Sequence, residues 1–257
     1  MRSILIKTVI LILLGITAVL VVYIGTAPLN TLRYYNESVI SDSLFVERYD
    51  TLYDYQPVAP LVKEKIFKES LLKLSETDSI QLVVNLPDSA VSLYIKGVKI
   101  HQSKISFYQK DRLFGKLSVM EQVYMFSHPI QVVSQYSTII KEPVFMREAP
   151  KDTIEAALNA WLPDTVIQDP AFLIMSAENK IDLIFEQENN LTRMEKTAGT
   201  RFNNRIKFRS FAHYLKTFIT LKKADYRPRI YIKIPAEELR SIYRALPVNT
   251  YFVIKIG

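Results

Sequence analysis

The chain opens with its strongest pattern. From Thr8 to Ala27 almost every position is apolar, and no charge falls between Lys7 and Arg33. About 20 helical residues at ~1.5 Å each match a hydrocarbon layer of ~30 Å, so the pattern predicts one transmembrane helix over 8–27. Residues 28–79 mix charged and apolar positions without strand alternation and read as a linker. Within it Leu61, Val62, Ile66, Phe67, Leu71 and Leu74 recur near helical spacing, which predicts an amphipathic helix over 61–75 after the Pro57–Pro60 loop.

After Ile80 the texture changes to short β-type runs. The predicted strands are 81–86, 90–95, 98–107, 120–126, 172–176, 180–185, 230–234 and 251–256, with Pro87-Asp88-Ser89 and Lys96-Gly97 supplying early turns. Three helices interrupt them. Asp152 caps 153–162 ahead of Pro163; 205–222 carries Phe208, Phe211, Leu215, Phe218 and Ile219 on one side; 237–245 lies between Pro235 and Pro247. The expected fold class is α+β: a mainly β exported domain over 80–257 with helical insertions, preceded by one transmembrane helix. No internal repeat is present.

Arg2 and Lys7 flank the short side of the apolar run, so the positive-inside rule predicts N-in, C-out topology. Residues 1–7 would be cytoplasmic and the bulk of the chain periplasmic or otherwise extracytoplasmic, held by a single pass in the inner (cytoplasmic) membrane. The rival reading is a cleaved signal peptide, with Gly25-Thr26-Ala27 as its small-x-small site. Pro28 would then stand first in the mature chain, and the run exceeds the ~7–15 residues of a signal core. An uncleaved signal anchor is therefore favoured.

Composition changes the picture in two ways. The 257 residues include no cysteine, which excludes disulfides, thiolate nucleophiles and Cys-ligated zinc; six glycines assemble no phosphate-cradling loop. The net charge of +7 has an address: twelve Lys and Arg against two acids between Arg193 and Lys233, in an exported part that is otherwise slightly acidic. Arg201, Arg205, Lys207, Arg209, Lys222, Lys223, Arg227 and Lys233 are the candidate anion- or partner-binding residues. Interleaved Phe202, Phe208, Phe211, Tyr214 and Tyr226 could fit nucleic acid, but an exported location argues against it. Anionic head groups, carboxylate-bearing envelope polymers or an acidic protein are the expected partners, with a solvated helix face as the plain alternative.

The last strand–helix–strand unit, YIKIPAEELRSIYRALPVNTYFVIKIG, resembles the closing segment of the L,D-transpeptidases (YkuD-type domains), which cross-link peptidoglycan stem peptides. That family runs Ser-His-Gly-Cys-Ile-Arg-Leu, a polar-acidic stretch, a short helix ending Leu-Tyr-x-x-Val-Pro, then a Gly-Thr-x-Val-x-Ile strand. Here Ile232-Lys233-Ile234, Glu237-Glu238, Ile242-Tyr243, Leu246-Pro247 and Asn249-Thr250 occupy those steps over about 24 gap-free positions. Leu93-Tyr94 and Lys96-Gly97 resemble the family's opening hairpin. The chemistry does not carry over. The nucleophilic cysteine falls on Tyr231 and the preceding histidine on Arg229, with Pro228 and Ile230 in the Ser-Gly frame. A phenol with a pKa near ~10 is a poor substitute for a thiolate. The resemblance thus implies an inactive relative, in which Lys233 alone keeps the family arginine's charge.

Other chemistry is thinner. His101, His128 and His213 form no metal motif, and no cofactor is expected. Glu186/Glu188 and Glu237/Glu238 are read as surface pairs, and Trp161 and Met175 as core. Asn36-Glu37-Ser38 and Asn190-Leu191-Thr192 are sequons that matter only in a secretory host. The expectation is a membrane-anchored envelope protein, not an enzyme, that binds or scaffolds at the cell wall. The alternatives are an unrelated exported interaction module of a secretion, motility or division machine, and a hydrolase using unrecognised carboxylates.

Overall fold

A computed structural model describes residues 2–42, 58–141, 169–188 and 192–257. The helix predicted over 153–162, with Trp161, lies outside the described residues. Helix α1 (Arg2–Ser41) is a single helix of 40 residues. Its apolar part is exposed along its length and is long and apolar enough to cross a membrane. It does not stop at Ala27. It runs on through Pro28, and Ala27, Thr31, Tyr35 and Val39 form a buried stripe at the i, i+4 spacing of one helix face. Residues 28–41, read from the sequence as linker, therefore pack on the folded domain. Helix α2 (Ala59–Leu74) does so too, placing Phe67, Leu71 and Leu74 on Val83 and Val253.

Nine strands form one mixed sheet: β1 (Gln81–Asn85), β2 (Ala90–Ile95), β3 (Val98–Lys104), β4 (Phe107–Lys110), β5 (Ile130–Ser137), β6 (Phe172–Ala177), β7 (Asp182–Gln187), β8 (Arg229–Ile234) and β9 (Tyr251–Lys255). Their order is β3-β2-β1-β9-β5-β6-β7-β8-β4. The two edge strands, β3 and β4, are neighbours in sequence. Ile105 N–H donates to Ser89 O at one edge, and Ser106 N–H donates to Lys233 O at the other. Three residue steps reach at most ~11 Å, so the edges stand side by side and the sheet curls back on itself.

The inside of that curl is the main core. Alternate residues supply it: Leu82 and Val84, Leu173 and Met175, Leu183 and Phe185, Ile230, Ile232 and Ile234, Phe252 and Ile254. Helix α3 (Val119–Phe126) adds Met125 and Phe126, and α5 (Ala236–Ala245) adds Leu239 and Ile242. The outward-facing set of β5–β8 is covered by α4 (Arg193–Ile219), whose Phe202 and Ile206 pack on Phe172, Ile174 and Ile184.

Four expectations are corrected. Residues 120–126 are helical, because Ser118 and Glu121 form a reciprocal capping box that starts α3. The run 98–107 is two strands, broken at Ile105–Ser106 where the chain passes from one sheet edge to the other. The basic helix begins at Arg193, not at 205, because Thr192 and Glu195 form a second capping box. Strand β5 had no counterpart among the predicted strands; Pro129 and the polar positions in IQVVSQYS obscured it. The remaining strands and the last helix fall within a few residues of their predicted places.

Candidate functional site

Register across β5–β8 lays two rows of side chains on the outer face of the sheet. One row runs Tyr136, Ile174, Ile184, Tyr231, and the next runs Ser134, Ser176, Asp182, Arg229. The first is apolar and is sealed by the N-terminal half of α4: Phe202 stacks on Tyr136 at 5.7 Å between ring centroids and tilts against Phe172 at 5.5 Å. Gly199 permits this approach, since a Cβ there would lie 2.8 Å from Phe172 Cζ. The second row is polar and α4 does not close on it. A cleft of about 710 Å³ remains between the row and the helix.

Four arginines converge on this cleft. From the floor, Arg227 Nε donates to Asp182 Oδ1 at 2.8 Å and its Nη2 to Ala177 O at 2.7 Å. Arg229 Nη2 donates to Ser210 Oγ of α4 at 2.5 Å, and its Nε stands 4.0 Å from Asp182 Oδ2. Asp182 is buried, so its charge is held by these two guanidiniums. From the helix, the Arg205 guanidinium lies 4.1 Å from the Tyr136 ring centroid and Arg209 Nη2 donates to Ser134 Oγ at 3.2 Å. Among the described residues neither Arg205 nor Arg209 pairs with a carboxylate. A guanidinium has five donors in a planar fork, so both keep donors free for a planar anion.

A second cavity of about 550 Å³ adjoins the first and shares Lys180, His213 and Asp225 with it. It lies between α4 and α1, with Arg33, Glu37, Lys216, Lys222 and Lys223 around it. Asp225 accepts from His213 Nε2 at 2.7 Å and faces Lys180 Nζ at 3.4 Å. Burial works against its ionisation, but the His213 hydrogen bond and the charges of Lys180 and His213 outweigh it and hold the carboxyl below the usual aspartate range. Lys180 is set on the β6–β7 turn with φ +65° and its ammonium also lies 3.9 Å from the Tyr34 ring centroid.

The loop after α4 is bolted to α1. Tyr23 Oη donates to Lys222 O at 2.7 Å, and Asn30 Nδ2 to Ala224 O at 2.9 Å. Thr31 Oγ1 both donates to Tyr226 O and accepts from Tyr226 N, at 2.9 and 2.8 Å.

No family model, curated protein or solved structure matches the chain.

The sequence-derived candidates divide accordingly. Arg205, Arg209 and Arg227 meet in the cleft together with Arg229, while Lys222 and Lys223 border the adjoining cavity. Arg201 and Lys207 are exposed on α4 and line neither. Lys233 lies in neither cavity; it sits beside Glu186 in register, with Nζ 5.8 Å from the Phe107 ring centroid. Tyr231 belongs to the apolar row beneath Phe202. Lys180, Asp182, His213 and Asp225 were missed. They come from the β6–β7 turn, β7, α4 and the loop after α4, and only the β-register and the α4 crossing bring them together. His101 bonds to Glu238 at 2.6 Å, away from the cleft, and among the described residues no group of three or more His, Asp or Glu could hold a metal ion.

Proposed function

We propose that this is a single-pass membrane-anchored protein of the cell envelope whose exported domain is an inactive relative of the L,D-transpeptidases. In this reading it binds a carboxylate-bearing ligand, peptidoglycan stem peptides first, in the arginine cleft beneath α4. The observation that carries the reading is the convergence of Arg205, Arg209, Arg227 and Arg229 on one cleft in which the two helix-borne arginines have no carboxylate partner among the described residues. Arginine forks match carboxylates in shape as well as charge.

The inactivity is supported by packing. The position that aligns with the family's nucleophile, Tyr231, is a half-buried member of an apolar row roofed by Phe202. Its register neighbours on the flanking strands, Ile184 and Gln109, supply no base to activate a nucleophile. Retention of the N-terminal helix as an anchor is supported by Ala27. The candidate cleavage position is buried within one continuous helix whose next turns pack on the domain, so the helix is built into the fold rather than set apart from it.

Co-sedimentation of the full-length, detergent-solubilised protein with purified peptidoglycan sacculi tests the reading. Retention is expected for the wild type and at least a tenfold loss for Arg205→Glu/Arg209→Glu, since each charge-assisted hydrogen bond contributes about 1.5–3 kcal/mol. Absence of retention, or retention indifferent to the charge reversal, overturns it.

A further inference from the structure

The C-terminal half of α4 presents an apolar stripe to the outside. Phe208, Phe211, Leu215 and Ile219 fall on one helix face, opposite the Gly199, Phe202 and Ile206 face that meets the sheet, and all four are exposed. The stripe ends in Leu221, which is 93% exposed. Leu221 also holds φ +53°, the left-handed slot after a helix that glycine normally takes, with Leu221 N–H bonded to Phe218 O and Lys222 N–H to Thr217 O. An outward leucine in a conformation that disfavours it is hard to explain by contact with water alone. Lys216, Lys222 and Lys223 are exposed around it.

The position of this tip relative to α1 identifies what it meets. Tyr23, four residues before Ala27 in the apolar run, donates to Lys222 O and packs edge-on against Phe218 at 5.3 Å between ring centroids. At ~1.5 Å per residue, Tyr23 lies ~6 Å inside the outer end of the 8–27 run. The α4 tip is therefore held within about one helical turn of the outer end of the apolar run, close to where a bilayer's outer hydrocarbon boundary would be. Above that contact α1 and α4 diverge around the 550 Å³ cavity, so the tip is the low point of the helix.

We propose that the 215–223 end of α4 docks into the outer leaflet of the membrane that α1 crosses. Leu215, Ile219 and Leu221 enter the head-group boundary, and Lys216, Lys222 and Lys223 contact anionic phospholipid head groups. The proposal rests on the reading of α1 as a membrane span. Apolar residues at the interface flanked by lysines follow the composition of interfacial helices, and the juxtamembrane lysines add attraction to an anionic surface. Docking at this end fixes the domain at two points, the span and the tip, and holds the cleft on the inner face of α4 close above the bilayer.

The absence of native cysteine makes the test direct. Nitroxide labels on Leu221→Cys, Met194→Cys and Val19→Cys are introduced singly into the full chain in phosphatidylcholine nanodiscs containing phosphatidylglycerol. Relaxation by oxygen and by a water-soluble nickel chelate is then compared. The 221 label is expected to show an oxygen-to-nickel ratio several-fold above that of the 194 label at the far end of α4, approaching the 19 label in the span. In Lys222→Gln/Lys223→Gln the equilibrium constant for docking should fall by about fivefold per lysine. A span label in hydrocarbon with a 221 label as aqueous as the 194 label overturns the docking while sparing the anchor. An aqueous 19 label overturns both.

Discussion

Thr31 shows how one side chain can join an anchor to a domain. Its hydroxyl is fully buried and bonds to both backbone groups of Tyr226, so it supplies the pairing that a strand would supply. Thr31→Ala leaves the Tyr226 N–H without its acceptor, and the cost expected is about 1–3 kcal/mol, read as a lowered denaturation midpoint of the full-length protein in detergent. Asp225 carries the second residue-scale prediction. Its folded pKa is held below the ordinary aspartate value despite opposing burial, by the His213 hydrogen bond and the nearby Lys180 and His213 charges. A depressed carboxylate stabilises the fold fully above the ordinary value of ~3.9, and that contribution is lost as pH falls through the folded value. Asp225→Asn should therefore flatten the acid limb of the stability curve below about pH 4, measured by thermal unfolding across pH.

At the scale of elements, what the sequence revealed and what it hid follow from physics. Strands such as Asp182–Gln187 and Arg229–Ile234 were legible because they are buried on one or both faces and so read as apolar runs or clean alternation. The continuation of α1 past Pro28 was not, since its buried stripe consists of Ala27, Thr31, Tyr35 and Val39, of which only the last reads as a strongly apolar core residue. The strand predicted over 120–126 failed because apolar richness was read without the Ser118 and Glu121 cap beside it. The basic segment was legible as a charge excess, but not as a cleft. The cleft arises because the register puts Ser134, Ser176, Asp182 and Arg229 in one polar row that α4 spans without filling. Helix α4 is held to the adjoining apolar row at Gly199, which makes the seating testable. Gly199→Val drives its side chain into Phe172, and overpacking of this kind costs about 1–3 kcal/mol. A matching drop in unfolding free energy by chemical denaturation is expected, whereas an unchanged value would mean that α4 is not packed on that ring.

Taken as a whole molecule, the chain is a curled nine-stranded sheet around a main core that α3 and α5 help fill, with α4 on its outer face and a long apolar helix leading out of it. The packing of 27–41 on the domain fixes the apolar run against the sheet, so the orientation of the span sets the orientation of the cleft. Its arginines are positioned by three different elements, α4, β8 and the loop before β8, and their convergence depends on the fold as a whole. The proposed recognition of cell-wall carboxylates by this cleft rests on that convergence. It is tested most directly by titrating the full-length protein in nanodiscs with a soluble peptidoglycan disaccharide-peptide, in forms with free and with amidated stem carboxylates. The account predicts saturable binding of the free-carboxylate form, weakened at least tenfold both by amidation and by Arg205→Glu/Arg209→Glu. Equal affinity for the two forms, or no binding of either, would contradict it.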